Sequence, residues 1–124
     1  MKGSKAMTAA DFIKKNADIL VKAVNTAEFD NLTDGCVVFM VTTAPGQKDI
    51  TERVVRNAGY YMVVSTNRSH MGKMQDITVI GLTAGGYAKV EFINLGDLGY
   101  RNNRMVFLCK PLPLNDYRRN YRFL

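Results

Sequence analysis

The chain has no tryptophan, a single histidine, two cysteines and three prolines in 124 residues. Each shortage removes a class of protein. Two cysteines are too few for the disulfide framework that holds small secreted domains together. With one histidine they also lack the ligand number and spacing of a zinc site. No metal and no cofactor is expected. Cys36 and Cys109 both sit in apolar stretches, where a cysteine in a reducing compartment acts as a small buried hydrophobe. Any histidine-dependent chemistry must run through His70. Its neighbour Ser69 does not make a nucleophile–base pair by adjacency, because successive side chains diverge. No two carboxylates are set by spacing as an acid–base pair, so the expectation is a protein that is not an enzyme.

Long hydrophobic runs are missing too. Nothing approaches the ~18 apolar residues of a membrane-crossing helix. The opening stretch MKGSKAMTAADF has lysines with no hydrophobic segment behind them, unlike a secretory signal. The expected setting is the cytoplasm, with no membrane partner. The glycines between Gly81 and Gly86 lack the Gly-Lys-Ser/Thr of a phosphate-binding loop, and a hairpin turn accounts for them.

What is present is ordinary globular composition, 47% hydrophobic and 23% charged, in a length that suits one domain. The expected fold class is α+β: an N-terminal amphipathic helix and one short helix packed on a five-stranded, mixed but mainly antiparallel sheet. A small half-open β-barrel is the alternative. Thr8 starts the first helix, with Asp11 in the third position of a capping box. Phe12, Ile13, Ala17, Leu20, Val21 and Val24 recur at helical spacing, which predicts a helix over 9–25. Phe29 and Leu32 tuck beneath it before Asp34-Gly35 turns the chain.

Cys36 to Thr43 reads as a strand buried on both faces. Asp49 and Glu52 frame a helix start, and Ile50, Val54 and Ala58 recur every four residues, which predicts a short helix over 50–58; their valines leave a strand open. Tyr60 to Thr66 is the next strand, and the strand–helix–strand order predicts a parallel crossover. Asp76 to Leu95 reads as a hairpin, taken as the centre of the sheet, with Gly85-Gly86 in its turn. Arg104 to Lys110 is the last strand before Pro111 and Pro113. A domain over 1–110 with a C-terminal arm over 111–124 follows. Tyr60, Tyr61, Phe92 and Phe107 are expected mostly in the core, and Glu91 is expected to face outward with Lys89.

Charge supplies the functional pointer. The net charge is +6 and the pI is about 9.5. Six bases and one acid in residues 101–124 give that fifth of the chain +5. Its end, NDYRRNYRFL, interleaves arginines with tyrosines. Guanidinium forks bind phosphate and phenol rings stack on bases, a combination suited to single-stranded or irregular RNA. The candidate nucleic-acid-binding residues are Lys110, Tyr117, Arg118, Arg119, Tyr121 and Arg122, with help from Arg101, Arg104, Arg68 and Lys73. The equal alternative is an assembly subunit whose arm docks on a partner protein or a second copy in a homo-oligomer.

Overall fold

The computed structural model describes residues 7–81, 89–98 and 103–110, together with the backbone of 120–122. The Gly85-Gly86 turn, Tyr87 and the prolines at 111 and 113 lie outside the described residues. The fold is α+β and rich in sheet. Two short helices, α1 (Ala9–Lys15) and α2 (Thr26–Asp30), accompany strands β1 (Leu20–Ala23), β2 (Val37–Thr43), β3 (Val55–Arg68), β4 (Met74–Gly81), β5 (Val90–Asn94), β6 (Arg104–Cys109) and β7 (Asn120–Arg122). The strands run in the order β1-β6-β2-β3-β4-β5, and β7 pairs with β3. Every pairing is antiparallel.

Several expectations need correcting. The first helix stops at Lys15. Thr8 caps its start, its Oγ1 accepting from Asp11 N at 3.3 Å, and Asn16 closes its end by donating both backbone and side-chain N–H groups to Phe12 O. Leu20 and its neighbours then form β1 on β6 instead of a third helical turn. A strand partner outweighs the weak helix propensity of Ile19, Val21 and Val24.

The expected helix over 50–58 shrinks to a 3-10 turn at Ile50–Glu52, capped by Asp49, whose carboxylate accepts from Thr51 N at 2.9 Å. The Thr51 hydroxyl, which also donates to Asp49 Oδ1, and then the Thr51 amide lower the Asp49 carboxyl from its ordinary value. From Val55 the backbone is strand, paired with β2 from Thr43 to Val37. Without a helix to cross the sheet, β2 and β3 are antiparallel neighbours and not the parallel pair the pattern suggested. The sheet is therefore wholly antiparallel, with more strands than five. The β4–β5 hairpin forms, yet it ends the sheet; β2 and β3 are its centre.

Alternation along the central strands builds two apolar layers. Val38, Met40, Tyr61, Val63, Ile77, Val79, Ile93 and Val106 face one way, and α2 closes this inner layer with Phe29, followed by Leu32. Phe39, Val41, Ala58, Tyr60, Met105 and Phe107 face the other way, where α1 and the 3-10 turn cover them with Phe12 and Ile50. Phe39 sits in the middle of the outer layer. Its ring lies 6.0 Å from Phe12 and meets Tyr60 edge-on at 4.8 Å. The α2 cap is a full capping box between Asn25 and Glu28.

The sheet is also sharply bent. In a flat sheet at ~4.8 Å per strand, β5 would stand about 19 Å from β6. Instead Arg104, the first residue of β6, donates from Nη1 to Phe92 O of β5 at 2.7 Å. No helix among the described residues is long and apolar enough to cross a membrane.

Candidate interaction surface

The cover over the outer layer is incomplete. α1 and the 3-10 turn lie over β6, β2 and the first half of β3, and stop there. Over the second half of β3, β4 and β5 no helix or turn among the described residues covers the same face. Two cross-strand rows occupy it. Met62, Ile80 and Val90 stand opposite one another, and next to them Ser65, Thr78 and Phe92. A β-bulge between Val63 and Ser65 inserts Val64 beside the second row, so its side chain joins the open face.

The exposure is large for apolar residues in strands: 43% for Val64, 55% for Val90 and 64% for Phe92. A third row of Asn67, Asp76 and Asn94 makes a polar margin, with Asn67 Nδ2 donating to Asp76 Oδ2 at 3.0 Å. An apolar centre with a polar margin is the anatomy of a protein-binding patch. Phe92 was expected in the core. The phase of the strand decides otherwise, because Glu91 and Ile93 take the inward positions and Val90 and Phe92 point out.

Glu91 correspondingly does not face solvent as expected. Its side chain is only 18% exposed and lies 3.0 Å from Lys89 Nζ and 3.2 Å from Arg104 Nη2. Asp97, 3% exposed, lies 3.9 Å from Arg104 Nη1 and accepts from Asn94 N at 3.0 Å. Arg104 is thus committed to its own chain. So is Arg68, whose guanidinium donates to Gly72 O, Asp30 O and Leu32 O, tying the end of α2 to the β3–β4 turn. Lys73 and Lys110 are exposed. Tyr121 and Arg122 lie in β7, at register positions opposite Ala58 and Asn57 of β3. Arg101, Tyr117, Arg118 and Arg119 lie outside the described residues.

The other chemistry-bearing groups are dispersed. Ser69 Oγ accepts from the backbone N–H groups of Met71 and Lys73, so it shapes the turn that carries exposed His70. Burial pushes the Cys109 thiol up to about 11 and raises the Tyr61 phenol, the latter also acted on by Lys89, Glu91 and Arg104. A thiol so protonated is a poor nucleophile. Among the described residues no three His, Cys, Asp or Glu side chains converge as metal ligands. Comparison with known protein families, curated proteins and solved structures gives no match.

Val64, Val90 and Phe92 escaped the sequence reading because an apolar strand residue is normally inward. One signal was available. Glu91 between two apolar residues fits an inward position only if a cation waits there, and Arg104, read as a nucleic-acid contact, is that cation.

Proposed function

We propose that this chain is a non-enzymatic interaction protein that docks a protein partner on the open outer face of β3, β4 and β5. The observation that supports the reading is the exposed apolar centre of Val64, Val90 and Phe92 with its polar margin. Phe92 is its anchor. These side chains are already about half covered, so burying the rest of the ring and two valines against a partner is worth about half of the ~1.5–3 kcal/mol of a fully buried apolar side chain, before the costs of association. The face alone is small, and so suits a transient complex or one that also engages the C-terminal segment. Binding of RNA by the C-terminal segment is the second reading, favoured by the +5 charge of residues 101–124. The engagement of Arg68 and Arg104 leaves that reading resting on Lys73, Lys110 and the C-terminal arginines.

The two readings separate in one experiment. The immobilised chain is exposed to extract of its source cells with and without nuclease, beside Phe92→Asp and a triple Gln variant at Arg118, Arg119 and Arg122. A defined protein retained after nuclease, lost with Phe92→Asp and kept by the triple variant is the expected result. Retention that disappears with nuclease and with the triple variant assigns the activity to the basic segment. Identical retention by Phe92→Asp and wild type overturns the docking face.

A further inference from the structure

β5 ends the hydrogen-bonded path among the described residues, so one of its edges faces away from β4. The register says which groups lie there. Gly81 N donates to Lys89 O at 2.7 Å, and pairs along β4–β5 alternate from that point. Lys89, Glu91 and Ile93 therefore bond to β4, while Val90, Phe92 and Asn94 direct their backbone groups outward. Two contacts agree with this phase, since Phe92 O and Asn94 N–H both meet groups away from β4.

An outward row of strand amides is a template for another strand. Here it carries two exposed apolar side chains, Val90 and Phe92, and its sequence KVEFIN is β-branched and aromatic. Such a strand pairs through its main chain, and a second copy of itself is a suitable complement. Two of its outward groups, however, are occupied by side chains of the same molecule. Arg104 fills the Phe92 acceptor at 2.7 Å and the Asp97 carboxylate fills the Asn94 donor at 3.0 Å. Glu91 holds Arg104 in place at 3.2 Å from beneath the strand. No other hydrogen bond among the described residues engages the outward amides of Val90 and Phe92.

We propose that the outer edge of β5 is a latent pairing surface for a second copy of this chain, held shut by Arg104 and Asp97. Arg104 is both a clamp on the sheet and a stop against strand addition. The inference does not rest on the docking face, since it concerns the edge of β5 and not the side chains above it.

The test is the concentration dependence of mass. For Arg104→Ala, sedimentation equilibrium should give a weight-average mass that rises with concentration towards twice that of wild type. Amide exchange at Val90 and Phe92 should slow in the associated form. Adding Val90→Pro, which deletes an outward N–H and spares the ladder to β4, should restore wild-type mass. Association without slowed exchange at those amides, or association that survives Val90→Pro, overturns the proposal. So does a folded Arg104→Ala that sediments as wild type. Arg104→Lys keeps a cation beside Glu91 without the forked reach to Phe92 O; it decides the matter if the alanine variant does not fold. In wild type itself, Val90 and Phe92 amides should exchange faster than those of Glu91 and Ile93, and equal protection across the four overturns the open edge.

Discussion

Phe39 and Phe92 offer the sharpest stability comparison. Both are phenylalanines in strands, yet one is 1% exposed and the other 64%. Truncating Phe39 to alanine removes a ring packed against Phe12 and edge-on to Tyr60, in a layer covered by α1. A fully buried Phe→Ala change costs about 3–5 kcal/mol, from lost transfer energy and the cavity left behind. At ~2.1 cal/mol/K per residue, a chain of 124 residues unfolds with an entropy near ~0.26 kcal/mol/K, so each kcal/mol moves Tm by about 4 °C. Phe39→Ala should therefore melt about 12–20 °C below wild type by far-UV circular dichroism. Phe92→Ala removes a ring already in water and should stay within about 0.5 kcal/mol, or about 2 °C. Tm values for the two variants within 4 °C of each other would refute the assignment of layers.

Further outcomes follow from other parts of the structure. Arg68→Ala removes three hydrogen bonds that join α2 to the β3–β4 turn, and urea titration should show a loss of about 1–2 kcal/mol. Gly72 has φ +85° with open space around it, so Gly72→Ala should cost about 1 kcal/mol from backbone strain alone. The Cys109 thiol, held up to about 11 by burial from the ordinary 9.0, should alkylate at pH 8 far more slowly in the native protein than in urea. Its proton leaves the unfolded chain near 9 and the folded chain near 11, so the unfolded state binds fewer protons between those values. Stability from this group is complete below pH 9 and falls as pH rises towards 11. Cys109→Ala should flatten that alkaline decline in a urea-midpoint series.

Local chemistry was legible where a short stretch determines its own state. Thr8 caps α1 because its side-chain oxygen lies within reach of the third following amide; the cap of α2 at Asn25 went unread, because the helical spacing was carried through it to residue 25. Gly35 turns the chain before β2 because its φ of +92° suits glycine. The apolar run of β2 announced a strand buried on both faces, and alternation marked β4 and β5 as a hairpin. The same kind of reading failed at Leu20 and Val55. There, residues spaced for a helix became strands because β6 and β2 offered ladders of hydrogen bonds, and nothing within the segment records the partner's presence.

By itself, then, the amino-acid order determined an α+β class, the start of α1, the segments of β2, β4, β5 and β6, and a cationic carboxyl-terminal fifth. Only the tertiary structure decided which face each strand buries. A shift of one residue reverses every side chain, and the phase of β5 is set by Arg104, ten positions beyond the strand, drawing Glu91 inward. It also decided that Arg68 and Arg104 hydrogen-bond to carbonyls of their own chain. A charge in the sequence is only a charge; whether it meets a partner or a neighbouring carbonyl depends on what the bend of the sheet brings within 3 Å of it.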